Sequence, residues 1–231
     1  MSLIVQARNI ERIYGSGNNA VQALSDINLT VQQNQLVALK GRSGSGKTTL
    51  LNIIGALDYP TNGSVIFGGV DILTLSEKER ILHRKENIGF IFQSFGLVPL
   101  MTVEENVEFG LRIAGVPKQE WTKRINESID LVQLSKRAKH RPFELSGGEQ
   151  QRCAIARAIA TRPKLILADE PTGELDTKTA FHVMKVFREL VASKQTTIIM
   201  TTHDPAMMEI TDHVYALEDG KIVEKEESSI T

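Results

Sequence analysis

The chain has 231 residues, 41% of them hydrophobic, a formal net charge of −1 and one cysteine, which predicts one large globular domain and excludes an intramolecular disulfide framework. The balanced charge gives no general attraction to nucleic acid or to an anionic membrane surface. No apolar run approaches the roughly 18 residues of a membrane span, and the start of the chain lacks a secretory leader pattern, so we expect a cytoplasmic protein.

The first third of the chain is predicted to form short β-strands. Three apolar segments have the composition of strands, at residues 3–10 (LIVQARNI), 23–31 (ALSDINLTV) and 35–40 (QLVALK). Residues 64–72 (SVIFGGVDI) predict a hairpin with its turn at Gly68 and Gly69. The chain therefore begins with a β-rich region, and its third strand leads into a glycine-rich loop.

The segment GRSGSGKTT, at residues 41–49, matches the phosphate-loop pattern G-x-x-x-x-G-K-[ST]. It follows a predicted strand and precedes TTLLNIIGAL, whose apolar spacing predicts a helix packed on a sheet. Glycines let the backbone N–H groups face phosphates, while Lys47 neutralises the outer phosphates and the Thr48 hydroxyl binds Mg²⁺. The expected nucleotide-binding residues of the loop are Gly41, Arg42, Ser43, Gly44, Ser45, Gly46, Lys47, Thr48 and Thr49.

A polar residue, Gln93, ends the next apolar strand, IGFIFQ. An amide at this position could lie near a nucleotide, although a polar residue at a strand end is more often an ordinary terminus. The following segment, SFGLVPLM at residues 94–101, is apolar enough to pack against a partner protein. Packing within its own chain is the alternative for this segment.

The middle of the chain carries mostly helical signals, over residues 102–161. Thr102 and Glu105 have the spacing of a capping box, and residues 118–134 (KQEWTKRINESIDLVQL) predict a helix. These helices interrupt the alternation of strands and helices in the rest of the chain. We therefore predict an inserted helical lobe over residues 94–161.

A second candidate anion site lies in the segment ELSGGEQQRCAIARA, at residues 144–158. Ser146 can cap the helix that begins here, and Glu149 is its capping-box partner three residues later. Gly147 and Gly148 leave the first backbone N–H groups of this helix uncovered, and such a helix start attracts an anion. One chain therefore carries two candidate phosphate sites, which we call the two cradles, and the sequence signal is stronger for the glycine loop at residues 41–49.

The last third alternates between strands and helices. Two apolar strands flank one helical segment, with KLILADE at residues 164–170, KTAFHVMKVFRELVASK at 178–194 and TTIIMTTHD at 196–204. This alternation predicts an α/β fold with a parallel sheet covered by helices. Ligands bind at the rim formed by the C-terminal ends of such strands.

Asp169 and Glu170 reach this rim together, and His203 ends the following strand. Because side chains alternate along a strand, we expect one carboxylate to face a metal ion and the other an attacking water. Asp169 is the better candidate for the metal side, and Glu170 is the better general base. Away from a phosphate loop, such an acidic pair is more often a solvated edge.

These signals predict a single domain over residues 1–231. Its α/β core comprises residues 1–93 and 162–231, which the helical lobe separates. Cys153 is expected to be a buried thiol, because it lies among Ala and Ile residues. Residues 224–231 (EKEESSIT) lack a periodic apolar pattern and are predicted to form a solvated tail.

The order of these motifs resembles the nucleotide-binding subunit of ATP-binding-cassette (ABC) transporters: GRSGSGKTT, Gln93, LSGGEQ, LILADE, ELD and His203. The resemblance covers essentially the whole chain, and LSGGEQ distinguishes this family from other phosphate-loop proteins. It implies a RecA-like, mostly parallel sheet core, an N-terminal antiparallel β subdomain and an inserted α-helical subdomain. It also implies that two copies pair head to tail, so that LSGGEQ of one copy closes over the ATP bound by the other.

The resemblance implies ATP and Mg²⁺ as cofactors and assigns roles to residues at the motif positions. Tyr14, in RIYGSG, would stack on adenine, as suits an aromatic face. The implied metal ligands are Thr48, Gln93 and Asp169. The residues implied to act in catalysis are Lys47, Gln93, Glu170 and His203.

Further residues are implied to act across the dimer. They are Ser146, Gly147, Gly148 and Asp176. The family more often shows Ser-Ala-Leu-Asp where this chain has GELD, ending at Asp176. Glu174 therefore brings a negative charge to a loop that is implied to cross a phosphate-rich interface.

Three stretches look most like the branch of the family that includes macrolide exporters, lipoprotein-release ATPases, peptide-antibiotic resistance pumps and the division-associated cassette ATPase. They are GALDYPTNGSVIFGGVDI, IGFIFQSFGLVPLMTVEENV and DEPTGELD. Members of that branch serve a separate membrane subunit with few spans and a large extracytoplasmic domain. The resemblance thus implies an ATPase that binds a second copy of itself and such a permease, on the inner face of the cell membrane, to drive export or membrane extraction.

Two other kinds of function are compatible with a phosphate loop. The first is nucleotide-driven force transmission or signalling in a membrane complex that moves no substrate, and it differs only in its partner. The second is a soluble cassette ATPase acting on DNA or ribosomes, or a small-molecule kinase. The absence of a long coiled coil, a second cassette and a basic overall charge argues against the soluble cassettes, and LSGGEQ argues against the kinase.

Overall fold

The computed structural model describes residues 2–193 and 196–227. The strands are β1 (Leu3–Tyr14), β2 (Val21–Gln32), β3 (Leu36–Lys40), β4 (Asn62–Phe67), β5 (Val70–Asp71), β6 (Ile88–Ile91), β7 (Leu165–Ala168), β8 (Thr197–Thr201), β9 (His213–Glu218) and β10 (Lys221–Glu227). The helices are α1 (Lys47–Ile54), α2 (Glu77–Asn87), α3 (Val103–Ala114), α4 (Trp121–Leu131), α5 (Gly147–Ala160), α6 (Thr177–Ala192) and α7 (Pro205–Met208). Within the described ranges, no helix is both long and apolar enough to span a bilayer.

The strands form two sheets. The larger sheet has the order β10-β9-β3-β8-β7-β6, and its neighbours pair in parallel except for the antiparallel pair β9 and β10. The smaller sheet has the order β2-β1-β4-β5 and is antiparallel. Its β4–β5 hairpin turns at Gly68 and Gly69, as the sequence predicted. The structure therefore confirms the α/β fold class with an antiparallel N-terminal part.

The central strands β3, β7 and β8 of the larger sheet are buried on both faces, which explains why they are nearly continuous apolar runs. In β3, Leu36 and Ala38 belong to one core cluster, whereas Val37 and Leu39 belong to the other. This split follows from the two-residue period of a strand. Sandwiched in this way, the sheet is a rigid base for the side chains and loops at its C-terminal edge.

Helices α3, α4 and α5 pack on one another in the region predicted to be helical. The capping box at the start of α3 is formed: the Thr102 hydroxyl accepts the Glu105 N–H at 3.2 Å, and the Glu105 carboxylate accepts the Thr102 N–H at 2.7 Å. These bonds satisfy two backbone donors at the helix start. The division of the chain at residues 94 and 161 stays a prediction.

Two helices differ in extent from the sequence pattern. The helix predicted over residues 118–134 begins with a 3₁₀ turn at Lys118–Glu120, and α4 ends at Leu131. Gln133 then has a left-handed φ of 57°, which does not continue a right-handed helix. The helix predicted over 178–194 is present as α6, and Lys194 lies outside the described residues.

The prediction of a solvated tail is wrong for residues 224–227, which belong to β10. This strand pairs with β9 and forms one edge of the larger sheet. Its exposed side chains are mostly charged, as is common in an edge strand. Because the strand therefore lacks an alternation of apolar and polar residues, the sequence pattern did not indicate it. Lys40 forms ion pairs with Glu224, at 3.5 Å, and with Glu226. Residues 228–231 lie outside the described part of the chain.

The buried thiol offers a test of the core. Cys153 lies in α5 with no exposed surface, and burial raises the pKa of its thiol to about 12. The thiolate fraction near pH 8 is then very small, so we expect native protein not to react with a thiol-specific disulfide reagent over minutes. Unfolding in guanidinium should release one reactive thiol, and with one cysteine in the chain the signal reports this position alone. Complete labelling of native protein within the mixing time would contradict this prediction.

Candidate active site

The glycine loop at residues 41–46 connects β3 to α1, as the sequence predicted. Gly46 caps α1 with a φ of 100°, and a Cβ there would lie 2.7 Å from both Ala23 O and Leu24 Cδ2, so the position accepts only glycine. The buried Lys47 ammonium donates hydrogen bonds to the carbonyl oxygens of Gly41, at 2.8 Å, and Arg42, at 2.9 Å. These two bonds hold the loop curved around the lysine.

A cavity of about 620 Å³ opens above this loop. It is lined by residues 40–45 and 216–219, Met208 and His203. The Ser45 hydroxyl is buried and has no hydrogen-bond partner among residues 2–193 and 196–227. A Cβ built on Gly44 meets no described atom within 4 Å. An unpartnered buried donor, open space over a glycine and a nearby lysine fit a bound phosphate.

Asp169 is held between two threonine hydroxyls. Thr48 donates to Asp169 Oδ2 at 2.8 Å, and Thr201 donates to Asp169 Oδ1 at 2.7 Å. The structure thus brings together two of the three predicted metal ligands, Thr48 from the start of α1 and Asp169 from just after β7. A carboxylate and a hydroxyl are hard oxygen ligands of the kind that Mg²⁺ prefers. Sequence reasoning missed Thr201, which it treated only as part of an apolar strand.

Glu170 lies next to His203, with 3.6 Å between Glu170 Oε1 and His203 Nδ1. The histidine side chain is 72% exposed, so it is accessible from the cavity that it lines. Asp169 and Glu170 do contact different groups, but strand alternation is not the reason, because β7 ends at Ala168. Glu170 instead has a left-handed φ of 46°, and its carboxylate lies beside His203 rather than beside the two threonine hydroxyls that contact the Asp169 carboxylate.

Two predicted ligand contacts are absent from this arrangement. Gln93 is exposed and lies two residues beyond the end of β6, and no hydrogen bond joins it to Thr48 or Asp169 within the described structure. The Tyr14 hydroxyl donates to Asp58 at 2.7 Å, and the Arg12 guanidinium lies 4.3 Å from the Tyr14 ring centroid. One face of this ring is therefore occupied by a cation.

The second cradle has the local structure that the sequence predicted. The Ser146 hydroxyl caps α5 by accepting the Glu149 N–H at 3.2 Å, and the Glu149 carboxylate accepts the Ser146 N–H at 2.9 Å. These backbone contacts lower the pKa of the Glu149 carboxyl. Within the described chain, Gly147 and Gly148 do not line the cavity over the glycine loop. The two cradles of one chain therefore do not form one site.

Asp176 has a local role that the sequence analysis did not assign. Its carboxylate caps α6 by accepting the Thr179 N–H at 3.1 Å and the Thr179 hydroxyl at 2.6 Å. The hydroxyl and backbone donors of Thr179 lower the pKa of this carboxyl. The signal was present in the sequence, because Asp is a preferred N-cap residue and Asp176 directly precedes a helical apolar pattern. Glu174, two residues earlier, is exposed.

Comparisons of the sequence place these features in a known context. Residues 24–173 match the family model described as ABC transporter. The chain is 43% identical over 220 residues to the uncharacterized ABC transporter ATP-binding protein YknY of Bacillus subtilis, covering 95% of each protein. It is also 43% identical over 223 residues to the lipoprotein-releasing system ATP-binding protein LolD of Geobacter metallireducens, covering 96% of this chain and 99% of that protein.

A solved structure agrees with these matches. The dimeric, post-hydrolysis ATP-binding cassette MJ0796 of Methanocaldococcus jannaschii, bound to ADP and Pi, superimposes with a TM-score of 0.92 at 38% identity. The superposition covers 99% of this chain and 100% of that one. The fold is thus that of an ABC ATPase cassette. This chain belongs to the ABC transporter family, as an ATP-binding subunit with ATPase activity.

Proposed function

We propose that the chain powers an exporter or a machine that extracts molecules from a membrane. Two copies pair head to tail, and each ATP is held between the glycine loop of one copy and Gly147 and Gly148 of the other. The observation that carries the proposal is the separation of the two candidate phosphate sites. The described lining of the cavity includes the glycine loop but not Ser146, Gly147 or Gly148, which we call the signature turn. The dimeric state of the MJ0796 cassette supports the pairing.

The residues around the cavity fit magnesium-bound ATP. Thr48 and Asp169 would hold Mg²⁺, which would withdraw charge from the phosphates. Lys47 neutralises the outer phosphates from below the loop. Glu170 accepts a proton from the attacking water, and His203 contacts the terminal phosphate beside it. Each role follows from the position of the side chain at the C-terminal edge of the sheet.

Gln93 and Tyr14 join the site when nucleotide binds. Gln93 leads from the sheet edge into the helical region, so a movement of that region displaces it relative to Asp169. The loop after it is tied to the helical region, because Arg157 of α5 donates to Phe95 O at 3.0 Å.

Adenine stacks on the face of Tyr14 that Arg12 leaves open, with the ring oriented by Asp58.

The membrane subunit docks on a groove beside the edge strand β6. Phe92 and Ile113 line this cavity of about 270 Å³, and their exposed fractions are 39% and 54%. The segment 94–101 has two roles, because Leu97 packs on the core whereas Leu100 is 77% exposed. Apolar side chains exposed around one groove fit an apolar cytoplasmic segment of a permease.

The likeness to a lipoprotein-releasing ATPase favours extraction from a membrane over force transmission without a substrate.

Replacing the loop lysine tests the phosphate site. We expect Lys47→Ala to abolish measurable affinity for MgATP in calorimetry, since it removes the positive charge that faces the phosphates and the two bonds that curve the loop. The circular dichroism spectrum should remain that of the wild type. An unchanged affinity would mean that the loop does not bind phosphate as proposed.

Replacing the proposed base separates binding from hydrolysis. Glu170→Gln should keep MgATP affinity, lower the hydrolysis rate by about a hundredfold or more, and accumulate an ATP-bound dimer on size-exclusion chromatography. Glu209→Gln is the control, because Glu209 is exposed and is not among the described residues that line the cavity. We expect this control to hydrolyse ATP within about twofold of the wild-type rate. A monomeric Glu170→Gln protein at saturating MgATP would exclude the composite site.

The docking groove is tested by capture of the partner. Tagged Glu170→Gln protein, added with MgATP to detergent-solubilised native membranes, should recover a few-span membrane protein with a large extracytoplasmic domain. Adding Ile113→Asp should abolish this recovery, whereas Val223→Asp on β10 should not, although these two side chains are exposed to a similar fraction, 54% and 55%. Recovery of only ribosomal or DNA-bound proteins would exclude the transporter role. Equal recovery with both variants would exclude the groove.

A further inference from the structure

Thr201 connects the two acidic residues of the active site. It is the last residue of β8, which lies between β3 and β7 in the larger sheet, and it has no exposed surface. Its hydroxyl donates to Asp169 Oδ1 at 2.7 Å and accepts the Glu170 N–H at 2.8 Å. One hydroxyl is therefore bonded to the side chain of one acid and to the backbone of the next.

The direction of these bonds is determined by the chemistry of the groups. A threonine hydroxyl has one proton to donate, and an ionised carboxylate can only accept. Because Thr48 donates to Asp169 Oδ2, the two carboxylate oxygens are bonded to hydroxyls on opposite sides. The carboxylate plane is thereby fixed relative to the glycine loop, and charge-assisted bonds of this kind are the stronger ones.

The bond from Glu170 acts on a strained backbone. Glu170 has a left-handed φ of 46°, which is uncommon for a residue with a side chain. The Glu170 N–H points at Thr201, so this bond stabilises the conformation that carries the Glu170 carboxylate to within 3.6 Å of His203. If the Thr201 hydroxyl were removed, this part-buried N–H would have no hydrogen-bond acceptor, and the left-handed conformation of Glu170 would lose the bond that stabilises it.

We propose that Thr201 is a positioning residue for ATP hydrolysis, which holds the metal-side Asp169 and the proton acceptor Glu170 in fixed relative geometry. The inference rests on the roles assigned above to those two acids. Valine has the same shape as threonine and suits a buried strand equally well, so the hydroxyl is not required by the packing of β8. The hydroxyl is required by the two bonds at the site.

Thr197 provides a matched control in the same strand. It is the first residue of β8, is 1% exposed, and its hydroxyl accepts the Asn34 N–H at 2.9 Å. Among the described residues, its hydroxyl forms no hydrogen bond with Asp169 or Glu170, which are bonded to Thr201 instead. Thr197→Val and Thr201→Val thus remove the same group from opposite ends of one buried strand. Both should lower the melting temperature, because each leaves a backbone N–H without its acceptor.

The experiment measures metal affinity as well as turnover. In the full-length protein saturated with a non-hydrolysable ATP analogue, Mn²⁺ binding is followed by electron paramagnetic resonance. We expect Thr201→Val to weaken Mn²⁺ binding and to lower kcat, each by about ten- to a hundredfold, with nucleotide affinity in EDTA unchanged. Thr201→Ser should stay within about threefold of the wild type, and Thr201→Cys should fall between Ser and Val because a thiol is a weaker donor. Thr197→Val should keep the wild-type values.

The outcomes separate this inference from the proposed function. If Thr201→Val and Thr197→Val show the same Mn²⁺ affinity and the same kcat, Thr201 is only structural and the inference is overturned. If Thr201→Val does not fold, the Mn²⁺ affinity and kcat of Thr201→Cys are compared with those of Thr201→Ser. Equal values for these two variants would then overturn the inference. Asp169→Asn is the reference: if it leaves Mn²⁺ binding intact, the metal role of Asp169 fails. If Asp169→Asn weakens binding and the Thr201 variants do not, this inference alone fails.

Discussion

The active site depends on the adjacency of three parallel strands, β3, β8 and β7. Because parallel strands share a direction, their C-terminal ends lie at one edge of the sheet. This edge carries the glycine loop after β3, Asp169 and Glu170 after β7, and Thr201 and His203 at the end of β8. Both faces of these strands are buried, so the three strand ends cannot shift independently. Packing away from this edge therefore sets the distances of 2.7 and 2.8 Å from the Asp169 carboxylate to the Thr201 and Thr48 hydroxyls.

The two sheet faces serve different purposes. One core cluster joins the larger sheet to the antiparallel N-terminal sheet, which carries Tyr14 and its partner Arg12. The other joins the same sheet to α3, α4 and α5. Helix α5 begins with the signature turn at Gly147 and Gly148. The elements proposed to bind the base and to face a partner are thus packed against opposite faces of one sheet. The proposed hydrolysis site lies at the C-terminal edge of that sheet, between the two core clusters.

Local patterns made much of this architecture predictable. The glycine loop, the Ser146 cap and the two apolar strands after residue 163 depend on neighbours within a few positions, and the structure has each of them. Contacts between distant segments were not predictable in this way. Thr201 meets Asp169 across 32 positions and Tyr14 meets Asp58 across 44, and nothing in the spacing of the residues indicates either pair. Strand β10 was missed because its pairing with β9, not an apolar face, makes it a strand.

Gly148 shows how one position can satisfy two demands. Sequence reasoning required glycine there to uncover backbone N–H groups, but a Cβ at Gly148 would also approach Leu175 Cδ2 to 3.3 Å. The signature turn therefore packs closely on the loop that follows Glu170. That loop is held at one end by the Glu170–Thr201 bond and at the other by the Asp176 cap. Glu174 lies between these two constraints and is exposed. In the proposed head-to-tail pair, a phosphate within the Debye length of about 8 Å of this carboxylate requires compensating cations.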